Sequence, residues 1–335
     1  MNYETLKLEK GMYAVPGKNF TQVLEQLDPT ANYGGTPLAG LDAYQRQLKR
    51  FDIKVAGAGS DAVQKFFQTS DSAALFPEYI ARAVRQGMEE ADVLGDVVAT
   101  TTNIDSLDYR TITSVPTESQ KEMNPVEEGA TIPSTQVKLQ ENLVTLKKRG
   151  RMLEASYEAI KFQKLDLFTV TLRQIGAYLS KTLLKDAVTV LVSGDGNENP
   201  AEVVAAATAG KLTYDDLLTL WSKFDPYELN TLLVPPEVML KMLSIAEFKD
   251  PLTGLNFQAT GKLSTPLGAS LIKTTAVPSG KIVALDRRCA LEMVKASDVL
   301  IEYDKLIDKQ LSRAAITAIT GFAKIFTEAS KVMTV

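Results

Sequence analysis

A long amphipathic segment constrains the fold of this chain more than any other feature. Between residues 166 and 192, apolar side chains recur at spacings of three and four, the period of one helix face. The stripe consists of Leu165, Phe168, Leu172, Ile175, Leu179, Leu183, Ala187 and Val190. Asp166 favours a helix start and Gly194 a helix end. The pattern predicts one helix of roughly 40 Å with a single apolar stripe, along which other elements pack.

Composition limits the class of protein. With 335 residues, 45% of them hydrophobic and 23% charged, the chain can bury the core of one large or two medium domains. Residues 1–10 are charged where a secretory signal needs an apolar core, and no apolar run is long enough to cross a bilayer. A net charge of −4 argues against tight non-specific binding to nucleic acid. We expect synthesis and use in a cytoplasm, with no membrane partner.

The chain contains no histidine, which removes most acid–base, nucleophilic and metal-binding chemistry. Cys289 is the single cysteine, so neither an internal disulfide nor a thiolate metal cage can form. We therefore predict no enzymatic activity, no cofactor and no metal site, and we expect Cys289 to be a free thiol.

Residues 1–70 have the pattern of an N-terminal arm. Glycine-rich turns surround a short amphipathic helix predicted over residues 41–51, and an arm of this kind seldom folds alone. A second helical segment is predicted over residues 72–95, with Pro77 in its first turn.

Residues 100–150 change to the alternating period of strands and predict a long hairpin, with strands near 107–115 and 137–143. Two strands bury too little to be stable alone in water, so the hairpin must rest on another surface. Its intervening tip is acidic, and the base of its returning strand is basic. The acidic residues are Glu118, Glu122, Glu127 and Glu128, and the basic ones include Lys147, Lys148 and Arg149.

Residues 203–299 mix helices and strands. Thr213 begins a predicted helix in the manner of a capping box, and a buried strand is predicted at 231–234, followed by a helix that a double proline opens. The side chains of the first helix that are predicted to face the core are Leu217, Leu220, Trp221 and Phe224. In the C-terminal run, 300–335, the spacing of apolar residues fits strands and helix about equally.

Three short motifs lack the features that their chemistry requires. Residues 195–199 alternate Asp, Asn and Asn like half of a calcium loop, but Pro200 stands where the turn glycine belongs, which favours a simple turn. The Ser-x-x-Lys spacing at Ser270–Lys273 lies in a strand-like run rather than at a helix start. Residues 254–262 imitate a phosphate loop with the wrong spacer. The glutamates of the hairpin tip are interpreted as a solvated or partner-facing charge run rather than a cation site.

The order of several segments resembles the major capsid proteins of tailed double-stranded DNA bacteriophages, which have the Hong Kong 97 fold. A short basic strand with Met-Leu-Glu-Ala-Ser at 152–156 precedes the long helix, and Ser-Gly-Asp-Gly-Asn-Glu-Asn-Pro at 193–200 follows it. Phe-Pro-Glu-Tyr-Ile at 76–80 lies upstream, and Lys-Asp-Pro-Leu-Thr-Gly at 249–254 lies downstream. The resemblance spans about residues 70–335.

The resemblance implies an α+β, Hong Kong 97-like capsid fold without catalytic function. The implied parts are an N-terminal arm (1–70), a peripheral domain (71–99, 151–202 and 300–335) with the helix 166–192 as its spine, an extended β-hairpin loop (100–150) and an axial domain (203–299). The resemblance also implies that the C-terminal run returns as strands beside the spine. The arm and the loop would contact neighbouring copies of the same chain. The hypothesis for the assembly interface is that Glu118, Glu122, Glu127 and Glu128 dock on basic residues of an adjacent copy, with Lys147, Lys148 and Arg149 as candidates.

The implied partners are copies of the chain in hexamers and pentamers, a portal and decoration proteins, with packaged DNA contacted only weakly. Some members of the family carry an N-terminal scaffolding segment, but only about 70 residues precede Ser72, so we expect a separate scaffold protein. Some also join subunits by a lysine–asparagine bond. Because the last asparagine is Asn256, we expect a non-covalent shell. The implied location is the virion head, assembled in the host cytoplasm.

Two alternatives remain open from the sequence. An encapsulin, the shell protein of a bacterial compartment that packages an enzyme, would have the same fold. A hydrolase that uses a carboxylate pair is more distant, because no spaced pair of acidic residues in a buried context can be identified.

Overall fold

Helices and strands occur in mixed order in the computed structural model, which describes residues 3–15, 18–106, 108–113, 125–126, 128, 138–250, 266–306 and 310–335. The helices are α1 (Phe20–Leu27), α2 (Ala43–Arg50), α3 (Ser70–Ala73), α4 (Phe76–Glu90), α5 (Tyr157–Phe162), α6 (Leu165–Ser193), α7 (Tyr214–Ser222), α8 (Pro236–Leu243) and α9 (Ala246–Lys249). The strands are β1 (Thr100–Asn103), β2 (Ile112–Thr113), β3 (Lys138–Leu139), β4 (Lys147–Ser156), β5 (Glu202–Ala205), β6 (Thr231–Val234), β7 (Ser270–Lys273), β8 (Lys281–Leu285), β9 (Leu291–Leu306), β10 (Leu311–Lys324) and β11 (Ser330–Thr334).

The chain divides into two compact units. The first comprises Met1–Ala91, Arg149–Leu179 and Val299–Ala318, and the second comprises Asp92–Lys148, Ser180–Asp298 and Ile319–Val335. Helix α6 and strands β9 and β10 each contribute residues to both.

The first unit is built on the crossing of α4 with the first half of α6. Helix α6 has the predicted extent, with one more residue at each end, and its predicted stripe is buried or half-buried. The two helices meet at glycines. A Cβ atom on Gly87 would overlap the carbonyl oxygen of Arg173, and one on Gly176 would overlap that of Val84 and lie 2.9 Å from the amide nitrogen of Met88. The backbones are therefore in direct contact at this crossing.

The N-terminal residues contribute buried side chains to the first unit. Helices α1 and α2 each begin with a capping box, and the ring of Tyr13 stacks on Phe20 with a 4.3 Å centroid separation. The Tyr13 hydroxyl donates to the carbonyl oxygen of Ala74 at 2.8 Å. Arg46 is fully buried and its Nε donates to Asp28 at 2.8 Å, so the charge is paired where water is excluded. The predicted division into an arm and three further parts stays a prediction.

The second unit contains a five-stranded mixed sheet in the order β5-β11-β8-β6-β7. Strand β11 runs parallel to β5 and antiparallel to β8, and β6 runs parallel to β7. Helices α7 and α8 pack on this sheet around Leu220, Leu232, Val238 and Met242. The predicted strand at 231–234 and the helix after the double proline are both present.

Helix α7 confirms one prediction and corrects another. Its capping box is formed by Thr213 and Asp216, as predicted. Trp221, however, was predicted to face the core and is 51% exposed. The core covers Leu217, Leu220 and Phe224, whereas the indole lies at the margin of the apolar arc beside the exposed Leu218.

The C-terminal run forms strands, which the spacing of apolar residues left undecided and the resemblance implied. The second sheet has the order β1-β9-β10-β4, with β1 parallel to β9. Alternate residues of β10 are buried, namely Ala314, Ile316, Ala318, Thr320 and Phe322, and three of these five are small or polar. The large apolar residues alone therefore concealed the period of two.

Of the predicted hairpin, the described residues include the base and, in the tip, residues 125–126 and 128. At the base, β2 and β3 pair antiparallel, with Ile112 opposite Leu139. Residues 195–199 form a turn, as expected, and Ser270–Lys273 is strand β7 rather than a helix start. The phosphate-loop imitation at 254–262 lies outside the described residues.

Candidate assembly surface

Only some of the charged residues that were predicted to join copies lie within the described residues. Glu118, Glu122 and Glu127 lie outside the described residues, and Glu128 is exposed. At the base of the predicted hairpin, where β4 begins, Lys147 forms an ion pair with Asp186 at 3.3 Å. Lys148 is exposed, and Arg149 is half-buried. The structure contains one copy of the chain, so docking between copies stays a prediction.

Helix α6 carries a second apolar stripe, on the side that faces solvent in the first unit. Leu167 is 61% exposed, Val170 58% and Tyr178 46%. Gln174 lies in the same row, so the four residues recur at spacings of three, four and four. The Nε2 of Gln174 donates a hydrogen bond to the Tyr178 hydroxyl at 2.9 Å. We call these four residues the outer stripe. A helix that is apolar on both sides needs a second surface to cover it.

Two segments of the second unit form the base of the predicted extended loop. We call residues 104–113 the outgoing leg and residues 138–146 the returning leg. The legs are joined by backbone hydrogen bonds, from the amide of Gln140 to the carbonyl of Thr111 and from the amide of Val144 to the carbonyl of Tyr109, both at 2.9 Å. Ile112 and Leu139, which face each other across β2 and β3, are both exposed.

An apolar floor lies under both legs. Val144 packs with Val294 of β9 and Ala323 of β10, and further apolar side chains of the legs pack against this cluster. A Cβ atom on Gly321 of β10 would lie 2.9 Å from the carbonyl oxygen of Thr145. The returning leg therefore crosses β10 in close contact, at a position where only glycine leaves room.

A buried carboxylate holds the outgoing leg. Glu292 of β9 is 5% exposed and accepts hydrogen bonds from three hydroxyl groups. Oε1 accepts from Thr102 at 2.5 Å and from Tyr109 at 2.7 Å, and Oε2 accepts from Thr111 at 2.5 Å. Carboxylate oxygen atoms accept hydrogen bonds, so three converging hydroxyl donors suit this side chain.

The turn that follows α6 holds the returning leg. Asn197 accepts the amide of Asn142 at 2.9 Å, and its Nδ2 donates to Gln140 at 2.5 Å. Asp195 of the same turn accepts a hydrogen bond from the backbone amide of Lys324 at 2.9 Å, which ties the turn to β10. Burial lowers the pKa of the Lys324 ammonium to about 8, an effect that the charge of Asp195 opposes.

Two further findings concern metals and membranes. Within the described ranges, no group of three or more acidic or cysteine side chains is placed to hold a metal ion. None of the helices in those ranges combines the length and the hydropathy needed to cross a bilayer.

Comparison with known families identifies the chain. A family model described as phage capsid protein matches residues 140–321, just over half of the sequence. The chain belongs to the phage capsid protein family. As a major capsid protein it is a structural subunit of the icosahedral shell. The matched region contains most of the returning leg, all of α6 and most of β10.

Solved structures establish the fold of this capsid protein. The capsid of the cyanophage P-SCSP1u aligns with a TM-score of 0.53 at 13% identity, covering 71% of this chain and 86% of that one. A virus-like particle from Pyrococcus furiosus gives 0.51 at 13% identity, covering 76% and 98%. The capsid of a native GTA particle gives 0.52 at 14% identity, covering 75% and 90%. A search of curated proteins finds no match. The predicted Hong Kong 97-type fold is thereby confirmed.

Sequence reasoning about this capsid protein missed the outer stripe and Glu292. The spacing of Leu167, Val170 and Tyr178 was a readable signal, which the more regular inner stripe obscured. Glu292 gave none, because its hydroxyl donors lie more than 180 positions earlier in the chain.

Proposed function

We propose that hexamers and pentamers of this capsid protein close a head shell around a double-stranded DNA genome, and that the outer stripe is one of the surfaces through which copies meet. The observation that carries this proposal is the apolar outer stripe on a subunit of the phage capsid family. Exposed apolar surface of this kind is unfavourable in an isolated chain. In a closed symmetric shell, each copy offers the same surface to a neighbour, so one contact is repeated throughout the particle.

The acidic loop tip adds a second contact in this proposal. Glu118, Glu122, Glu127 and Glu128 give it a negative charge that complements basic residues of an adjacent copy. Lys147 already pairs with Asp186 within its own subunit, which makes the exposed Lys148 the better candidate at the base of β4. Each exposed pair contributes at most about 1 kcal/mol, so this contact sets register more than affinity.

The remaining partners follow from the proposed shell. They are a separate scaffold protein, a portal and decoration proteins, with assembly in the host cytoplasm. The net charge of −4 supports only weak contact with the packaged DNA.

Assembly of the purified chain tests the proposal. Electron microscopy and light scattering should show rings or shells at moderate salt, alone or with the scaffold protein co-expressed. A monodisperse monomer at high concentration under both conditions would contradict it. Particle contents separate the two shell functions, since nuclease-protected DNA indicates a phage head and a packaged enzyme indicates an encapsulin.

A further inference from the structure

We propose that Glu292 and Asn197 are positioning residues that fix the direction in which the extended loop leaves the subunit. This inference rests on the proposed shell function, because direction matters only if the loop reaches another copy. Each residue holds one leg, and both belong to the second unit.

Glu292 supplies orientation rather than stability. No ion pair among the described residues involves this carboxylate, although it is almost completely buried. A well-packed apolar side chain at such a position is often at least as stabilising as a buried charge. Unlike an apolar side chain, the carboxylate makes directional contacts, since its two oxygen atoms fix the hydroxyls of Tyr109 and Thr111 at separate points.

Asn197 performs the same task on the returning leg. It contacts both the side chain of Gln140 and the backbone of Asn142, and the carbonyl of Gly196 accepts the Asn142 side-chain amide at 2.7 Å. Gln140 also donates to the carbonyl of Lys324 at 3.2 Å, which ties the leg to β10. The returning leg is thus held at two residues, Gln140 and Asn142.

The apolar floor cannot replace these contacts. Apolar burial is non-directional, so Val144 and Val294 hold the legs down without setting their angle. Hydrogen bonds to both legs, which are themselves paired, restrain rotation about the floor. About a dozen residues of chain reach at most roughly 40 Å, so a tilt of about 10° at the base displaces the far end by up to roughly 7 Å.

The test compares variants of the legs with a matched control. Glu292→Leu removes the acceptor of three hydroxyls, and Asn197→Ala removes the contacts of the turn. Asp216→Asn is the control, because Asp216 is also a carboxylate that is 5% exposed in the second unit and accepts hydroxyl and amide donors, but from α7 and its surroundings. The double variant Tyr109→Phe/Thr111→Val removes two donors and keeps the carboxylate, in case Glu292→Leu does not fold.

Amide hydrogen exchange of unassembled subunits is the first readout. Exchange at the amides of Gln140 and Val144 should rise about tenfold or more in the leg variants and stay near wild type in Asp216→Asn. The second readout is particle shape: the leg variants should give aberrant or open particles where wild type gives closed shells.

Either of two results overturns the inference. One is unchanged exchange at both amides in the leg variants, and the other is normal closed shells despite raised exchange. If wild type itself forms no shell, the proposed function fails, and the exchange experiment still decides whether the residues hold the legs.

Discussion

The two faces of α6 in the first unit share one helix and differ in how far their side chains are buried. On the inner face, Gly176 touches the backbone of α4, and Leu172 is completely buried. On the outer face, Leu167 and Val170 lie only a few residues away and are more than half exposed. The inner face is buried or half-buried within the subunit, whereas Leu167 and Val170 of the outer face remain largely uncovered by the part of the chain that the structure describes.

The difference separates folding from assembly. Complete burial of a leucine side chain is worth about 1.5 to 3 kcal/mol, and on the inner face that free energy stabilises the subunit. On the outer face most of it is gained only when another surface covers the stripe. Substitutions on the inner face should therefore change the unfolding of the subunit, and substitutions on the outer face should change its association.

The strongest way to break the inner face is to add one methyl group. Gly176→Ala places a Cβ atom against the carbonyl oxygen of Val84, and because backbone cannot move aside cheaply, the helices must separate. We expect a loss of about 3 kcal/mol or more in the free energy of unfolding, measured by chemical denaturation. Gly59→Ala is the control, since nothing lies within 4 Å of its Cβ position. Equal unfolding midpoints for the two variants would disprove the close crossing.

The same substitution on both faces sharpens the comparison. Leu172→Ala leaves a cavity in the core and should lower the free energy of unfolding by about 2 to 4 kcal/mol. Leu167→Ala should change it by less than about 0.5 kcal/mol, because the side chain is mostly exposed. Light scattering should show the reverse order for assembly per folded subunit, with Leu167→Ala weakened and Leu172→Ala nearly normal. Normal assembly of both Leu167→Ala and Val170→Ala would remove the outer stripe from the interface.

Lys324 of β10 is buried beside the last turn of α6, so the free energy of unfolding should depend on pH. The Lys324 ammonium is buried 3.4 Å from the carbonyl oxygen of Leu191, with a pKa of about 8 against 10.5 for an ordinary lysine. Between pH 8 and pH 10.5 the unfolded chain binds more protons than the folded chain does. The free energy of unfolding should therefore increase as the pH rises through this window, and the gain should be lost as the pH falls back to 8. Each pKa unit corresponds to about 1.4 kcal/mol, which sets an upper limit of a few kcal/mol.

Lys324→Met isolates this effect. The variant should be more stable than wild type near pH 7, and its advantage should shrink as the pH approaches 10.5, as measured by denaturant midpoints. Parallel pH profiles for the two proteins would show that the lysine keeps an ordinary pKa despite its burial beside Asp195 and Lys331.

The smallest expected effect concerns the loop tip. Replacing Glu118, Glu122, Glu127 and Glu128 with glutamine should leave the circular dichroism spectrum unchanged, because the tip was predicted outside the core. Assembly should weaken or become more sensitive to salt, since each lost pair is worth at most about 1 kcal/mol. If yield and salt tolerance stay the same, the tip is a solvated charge run, and contact between copies relies on other surfaces.

Local patterns predicted the elements that depend on local rules. The bounds of α6 were predicted within one residue at each end, because a long stripe, an acidic first turn and a terminating glycine all agreed. The capping box of α7 and the strand β6 were predicted for the same reason. The strand β10 followed only from the resemblance, since it buries small side chains such as Ala314 and Ala318 that a count of large apolar residues overlooks.

Features that depend on tertiary contact were beyond the sequence. Trp221 was placed in the core because it is apolar and well spaced, yet the extent of the packed surface decides its exposure. Glu292 reads as one carboxylate in a strand, and only the fold brings Thr102, Tyr109 and Thr111 to it. The predicted acidic tip gave a charge pattern but no partner, because residues of another copy that it would meet leave no local signature in the sequence.

The glycine crossing of α4 and α6 also has a mechanical consequence. Helices that slide past each other normally do so by exchanging side-chain rotamers in the layer between them. At Gly87 and Gly176 there is no such layer, so a displacement of even part of an ångström brings backbone atoms into collision. The crossing is therefore stiff under load, and any change of subunit shape that accompanies shell closure must be absorbed by more compliant parts of the chain.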